Sequence, residues 1–353
     1  MKKFYALAIS TLFTGFAFAQ KTFTEPVKVV PGHSNDINQV TVSSRGDYIA
    51  TGSWDKNINI YDTSFKLVAS LGGHAGPVTA LRFRGDGRWL VSGSADKSII
   101  VWDSTFKKVR SLDGHTGQVN AAIFDRSNRY IYSGGDDRML MAWDIASGKT
   151  FRKIDIGAAV NALAQTSDPR YIYVASAGPQ IKVYTIANSQ LLKTLDGHAD
   201  VVNALATSPN NQLLLSGSND KTARIWDLKT GKQLRTLAVN CWKVTAVAFS
   251  DDSKYAVTGC NDGSVKVWEV ETGKLIADIE GKGNYVKDVA FTRAKTSVLV
   301  AASLRGATDY GLRVWPSAIE PVTPKAAETH AADSLKVKPA VTTPKPKTIP
   351  PKK

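Results

Sequence analysis

A seven-bladed, all-β propeller of four-stranded antiparallel blades is the fold this chain predicts, and three observations predict it. One unit recurs seven times, with successive ends separated by 41, 41, 41, 42, 42 and 47 residues. Inside each unit, short β-rich runs alternate with turn signals. One such sheet cannot bury both faces by itself, so copies must stack, and a ring of copies leaves no exposed end.

The register of the units can be read directly. Gly32-His33 opens a segment ending Tyr61-Asp62, Gly73-His74 one ending Trp102-Asp103, Gly114-His115 one ending Trp143-Asp144, and Gly197-His198 one ending Trp226-Asp227. Three degraded copies fill the gaps: Gly157 to Tyr184-Thr185, Asn240 to Trp268-Glu269, and Gly281 to Trp315-Pro316. In the second copy Val78–Phe83, Trp89–Ser94, Ser98–Trp102 and Lys107–Leu112 form the strand-like runs, here named a to d in chain order. Gly85-Asp86-Gly87, Ala95-Asp96-Lys97 and Asp103-Ser104-Thr105 separate them, which makes each unit an antiparallel meander.

At these Gly-His and Trp-Asp positions the chain resembles the WD-repeat β-propeller family, from Gln20 to Pro316. In that family the outermost strand of the last blade comes from the other end of the chain. Phe23–Val30 precedes the first Gly-His without a blade of its own, and the seventh copy stops after Trp315. The resemblance therefore implies that Phe23–Val30 completes blade 7.

Four copies place a His, a hydroxyl, an Asp and an aromatic at fixed spacing: His33, Thr51, Asp55 and Tyr61; His74, Ser92, Asp96 and Trp102; His115, Ser133, Asp137 and Trp143; His198, Ser216, Asp220 and Trp226. A hydrolytic triad needs one copy, an exposed nucleophile and an oxyanion hole. Fourfold repetition and the trailing aromatic match instead the family's buried hydrogen-bond tetrad, in which the hydroxyl accepts from the indole and joins the His, and the His meets the Asp. Four of the five His are thereby committed and His330 lies in the tail, so no metal or cofactor is implied.

Two blades break the pattern. Blade 4 has Val174, Gly178 and Tyr184 at tetrad positions and no His, and is expected to be the softest. Blade 6 keeps Thr258, Asp262 and Trp268 but has Asn240 in place of His. Cys241 follows that Asn, and Cys260 lies two residues beyond Thr258. Either a Cys241–Cys260 disulfide replaces the missing clamp, which requires a Cα separation of about 4.4–6.8 Å, or both are buried free thiols.

Of eight Trp, five end strand c (Trp102, Trp143, Trp226, Trp268, Trp315), and Trp89 takes the strand-b place of Tyr48, Tyr130, Tyr171 and Tyr255. These six are assigned to the core. Trp54 and Trp242 fall outside the repeat pattern, on the rim carrying the tetrad His and Asp, which in the resembled family is the usual partner face. Lys243, Tyr285 and Lys287 lie nearby in register, and Arg305 sits in the insertion Leu304–Thr308 of blade 7. Together they make a candidate basic aromatic patch of the kind that dominates binding hot spots. Asn38, Asn120, Asn161 and Asn203, repeated just inside this rim, either bind polar backbone or sugar hydroxyls at the channel mouth or hold water.

Composition bounds the function. The 353 residues hold 45 Lys+Arg against 31 Asp+Glu and only two Cys, with 43% hydrophobic residues, which excludes disordered, collagen-like and disulfide-dense classes. Met1-Lys2-Lys3, the apolar run Phe4–Gly15 and Ala17-Phe18-Ala19 read as a secretory leader cleaved after Ala19. The apolar run is short of the ~20 residues a spanning helix needs, so the mature chain is expected in the periplasm or outside the cell, without a transmembrane span. Export argues against nucleic acid as the partner of the net +14 charge. Residues 317–353 carry seven Pro and seven Lys and are expected to be disordered, either as a tether to an anionic envelope surface or as a solubilising tail.

The resemblance and the leader together imply a non-catalytic scaffold of the bacterial cell envelope that binds a protein or peptide through the propeller rim. A propeller hydrolase or lyase at the channel mouth, and binding of an anionic envelope polymer through the basic patch and tail, are the alternatives.

Overall fold

Alternation of apolar and small residues along each short run favours paired strands whose two faces both need cover. The computed structural model describes residues 20–280, 285–293, 297–303 and 310–319, and there the chain forms seven four-stranded sheets, one of them carrying a fifth strand. The expected leader (1–19), the tail beyond residue 319, and the blade 7 insertion with Arg305 lie outside the described residues. Blade 2 is representative, with strands Val78–Phe83, Leu90–Ser94, Ile99–Trp102 and Lys108–Leu112 in antiparallel order. Strand a of each blade is innermost: Ile37–Val42, Val78–Phe83, Val119–Phe124, Val160–Ala164, Val202–Thr207, Val244–Phe249 and Tyr285–Phe291. Blade 7 packs back onto blade 1, closing the ring.

The core lies between blades rather than within one. Val91, Ile99 and Val101 of blade 2 pack with Val119, Ile131 and Trp143 of blade 3. At the seam, Val30 joins Leu312 and Val314 of blade 7 to Ile37, Val40 and Tyr61 of blade 1. Fully burying one such aliphatic side chain contributes about 1.5–3 kcal/mol, and no blade obtains it alone.

Strand b supplies the close fit. Thr51, Ser92, Ser133, Ser216 and Thr258 are each followed by a glycine, and a Cβ on Gly93 would come within 2.6 Å of Val119 Cγ1 in the next blade. In blade 4 that position is Ala175, a second departure at a blade that has already lost its tetrad.

Every strand a has a register shift between its first and third residues, counted from Ile37, Val78, Val119, Val160, Val202, Val244 and Val286. Such a bulge re-aims the second side chain, here onto the neighbouring blade. Asn38 Nδ2 donates to the Val78 carbonyl (2.9 Å), Thr79 Oγ1 to Val119 (2.6 Å) and Asn120 Nδ2 to Val160 (3.0 Å). Asn161 and Asn203 Nδ2 and Thr245 Oγ1 continue the series to Val202 (3.0 Å), Val244 (2.8 Å) and Val286 (2.7 Å). Six side chains thus staple each blade to the next, and Lys287 holds the seventh position.

The ring is closed by an N-terminal strand, as expected, and the structure resolves how Phe23–Val30 is divided. Lys28–Val30 pairs antiparallel with Leu312–Pro316 as the outer strand of blade 7. Lys21–Phe23 instead runs parallel to Leu275–Ile279 and adds the fifth strand to blade 6. Pro26 lies between the two, where its missing N–H and fixed φ favour a break in pairing. At the other end Ser317 is buried, and Ala318 and Ile319 pack against the cluster between blades 6 and 7, so packed structure continues to Ile319.

A chain beginning at Pro31 lacks the closing strand and Val30. It is expected to melt below the full chain and to self-associate through the bared Leu312–Pro316 edge. Calorimetry and size-exclusion chromatography check this, and an unchanged melting temperature would show that closure contributes nothing.

Candidate functional site

The upper rim, formed by the loops leading into strand a and the turns from b to c, carries the polar clusters. In blades 1, 2, 3 and 5 the His Nδ1 meets the Asp Oδ2 at 2.8, 3.1, 2.8 and 2.7 Å. A carboxylate only accepts, so Nδ1 carries the proton and Nε2 accepts from the hydroxyl of Thr51, Ser92, Ser133 or Ser216 at 2.7–2.8 Å. Trp102, Trp143 and Trp226 donate their indole N–H to those serines at 3.0, 2.8 and 2.9 Å. In blade 1 the Tyr61 phenol donates to the Pro31 carbonyl (3.3 Å), which ties strand c to the segment following the closing strand.

Gly-His precedes strand a for a steric reason. Gly114 has φ +156°, and a Cβ there would lie 3.1 Å from the Trp143 ring. Only glycine gives both the backbone conformation and the room.

Burial alone would raise the Asp55 carboxyl. Hydrogen bonds from His33 and from the Ser34 and Asn57 N–H groups outweigh it and hold the pKa at about 2. Burial is likewise opposed at Asp96, where Ser98 and the Ala75 N–H bring the value to about 2, and at Asp220, where Thr222 and His198 do the same. Desolvation lowers His74, His115 and His198, against the opposing pull of their Asp partners. All four hydroxyls are fully buried, so none is an exposed nucleophile.

Blade 6 retains the indole bond, Trp268 to Thr258 Oγ1 at 3.0 Å. Where the His would stand, Cys241 and Cys260 form a disulfide with a Cα separation of 6.3 Å, both sulfurs buried. Sequence reasoning left this pairing open, because the distance depends on the a–b strand register. A bridge across 19 residues constrains the unfolded chain by about 3 kcal/mol in the loop-entropy account. Blade 4 uses a substitute that sequence reasoning missed: Lys182 Nζ of strand c donates to the Ile156 carbonyl in the loop before strand a (2.8 Å).

The candidate patch is partly assembled around blade 7. Trp242 is 77% exposed and Trp54 49%. Lys287 Nζ lies 4.2 Å from the Tyr285 ring centroid, and burial lowers its pKa while Asp36 raises it and Lys243 lowers it further. Asp36, whose carbonyl accepts from the Trp54 backbone N–H (2.9 Å), and Lys243 thus bring charges from blades 1 and 6 to Lys287 of blade 7. The four Asn expected at the channel mouth have their amide N–H groups on the next blade's carbonyls, and their placement favours joining blades over receiving a ligand. The signal was present, since the second residue of strand a is polar in all seven copies.

Trp89 packs against the cluster between blades 2 and 3 and is half-buried, like Tyr48, Tyr130, Tyr171 and Tyr255 at the same position, with the Arg84 guanidinium 4.7 Å from its ring centroid. The other five strand-c Trp are buried. Sequence reasoning also missed the ion pair of Arg82 with Asp288 (3.4 Å), which joins blade 2 to blade 7 inside the channel. Burial raises the Asp288 pKa, opposed by Arg82 and the Val40 N–H.

Seven blades, four of them with a buried His and hydroxyl that latch loops rather than face solvent, define a β-propeller. A family model described as "WD domain, G-beta repeat" matches residues 24–62, 65–103, 106–144, 189–227 and 231–269, more than half of the chain. The chain belongs to the WD-repeat family. Blades 4 and 7 lack a match of their own, whereas blade 6 is matched although Asn240 replaces its His. WD-repeat propellers are generally non-catalytic scaffolds that bind proteins or peptides. A search of curated proteins found no significant match.

Ser133→Ala leaves the Trp143 N–H and His115 Nε2 without their shared partner, and a loss of about 2–3 kcal/mol is expected in urea unfolding. The His and Asp shifts share one sign. Each folded-state pKa lies below its unfolded value, so the unfolded chain takes up protons first as pH falls. The His contribution, complete above about pH 6.5, is lost as pH falls below that value, and the Asp contribution is lost from about pH 4 toward 2. Melting temperature measured from neutral to acid pH should fall in that order, and a rise on acidification would contradict neutral, buried imidazoles.

Proposed function

We propose that this protein is an exported, non-catalytic scaffold of the bacterial cell envelope that holds a protein or peptide on the upper rim around blades 6, 7 and 1. The observation that carries the reading is Trp242, an aromatic side chain 77% exposed directly after the disulfide-bonded Cys241. An exposed Trp on an anchored loop gives a partner contact area at little ordering cost. Lys243 and the Lys287–Tyr285 pair beside it favour a partner segment that combines an apolar residue with an acid.

The leader-like first 19 residues and the disulfide both support an oxidising, exported compartment. Burial of every tetrad hydroxyl weighs against the hydrolase alternative.

Crosslinking of the native protein in its own envelope, compared with the Trp54→Ala/Trp242→Ala double variant, tests the reading. Each truncation is expected to weaken capture by about thirtyfold, equivalent to about 2 kcal/mol, with the melting temperature unchanged. Capture of the same partner at equal yield by the double variant would remove the patch from the proposal. Binding to anionic glycan that vanishes in salt would favour the polymer reading instead.

A further inference from the structure

The axial channel is not uniform. Its upper part is narrow, about 80 Å³, whereas the part toward the a–b turns opens into a chamber of about 660 Å³. Arg82 lines both, and its pair with Asp288 stands between them. The chamber volume falls within the range of small-molecule sites, about 300–1,000 Å³.

The sequence of strand a shapes this chamber on one side. The fifth residue is Thr41, Arg82 and Ile123 in blades 1 to 3, but alanine in the next four, Ala164, Ala206, Ala248 and Ala290. Four small side chains in succession leave the space. At the sixth position five blades present Val or Phe to the chamber, while blades 4 and 5 present Gln165 and Thr207. The ring of sixth-position side chains is therefore apolar except in one sector, while Thr41 and Arg82 add polar groups to the wall at the fifth position.

Within that sector the hydrogen bonds are incomplete. Gln165 is 95% buried, with 5% of its surface exposed, and its Oε1 accepts the Arg126 N–H at 3.1 Å. Its Nε2 has no partner among the described residues. A buried donor left unpaired costs about 1–3 kcal/mol. Arg126 stands exposed at the lip, and its guanidinium bonds go to neutral acceptors: the Thr166 and Gln165 carbonyls and Asn211 Oδ1. No carboxylate pairs with it among the described residues. Three acids line the same chamber: Asp86 is paired with Arg84, Asp125 accepts from the Ser127, Arg129 and Tyr130 N–H groups, and Asp251 lies on the blade 6 side, away from Arg126 in blade 3. The sector thus offers positive charge and a spare N–H without a matching acceptor.

We propose that the lower chamber binds a small amphipathic anion, with its apolar body along the Ala, Val and Phe wall and its carboxylate or phosphate head on Arg126 and Gln165. This site is separate from the upper rim and independent of any partner there.

Isothermal titration of the full chain with octanoate, octyl phosphate and neutral 1-octanol tests it. Octanoate or octyl phosphate is expected to bind with Kd of about 1 mM or tighter, and octanol at least about tenfold more weakly. Arg126→Gln should weaken the anion about tenfold. Because that change also removes bonds to blade 4, Ala248→Leu serves as the second variant: it narrows the chamber without touching the polar sector and should weaken binding while the melting temperature is kept. Absence of heat with both anions, equal affinity for octanol, or unchanged binding in Ala248→Leu would each overturn the proposal.

Discussion

No blade of this propeller can hide its own two faces, and this constraint orders everything else in the molecule. Val91 and Val101 need Val119 and Trp143 from the next sheet, and Ile37 and Val40 need Leu312 and Val314 from the last. Because the faces must fit closely, strand b carries glycine where the neighbouring Val presses in, and strand a carries a bulge that directs an Asn or Thr across the gap. Polar and apolar contacts therefore fall at the same interface and point the same way, as expected of a chain whose local choices agree with its global fold.

The buried latches divide the surface into parts that can vary and parts that cannot. His, hydroxyl, Asp and indole satisfy one another inside blades 1, 2, 3 and 5 except where Tyr61 turns to Pro31, and this fixes the loops between them. Residues on those loops can then face solvent without loosening the sheet. Blade 6 reaches the same end by covalent means, through Cys241 and Cys260, and blade 4 through Lys182. Different chemistry at one structural position indicates that the position needs a tie and not a particular residue.

Much of this was legible from residue type and period. The seven copies, the meander and the four tetrads follow from recurring Gly-His and Trp-Asp pairs, because each element is local and repeated. Features set by register or by distant contact were not. That Pro26 would divide the N-terminal segment between two blades depends on which edges are free. The four Asn were visible, but their role required knowing that a bulge turns them sideways. Arg82 and Asp288 meet across the channel from blades far apart in sequence, and no local pattern announces such a pair.

The pairing of Lys28–Val30 with Leu312–Pro316 also dictates an order of assembly. Six blades can form from neighbouring sequence as the polypeptide emerges, but the seventh stays incomplete until nearly the last residue of the body is available. Through that interval Lys28–Val30 has no partner strand and an apolar sheet face is bare at each end of the growing arc, inviting association with other chains. Joining the ends costs little more entropy for a long loop than for one half its length, about 0.6 kcal/mol per doubling. The hazard is thus kinetic, and it falls on the time before the circle shuts rather than on the finished molecule.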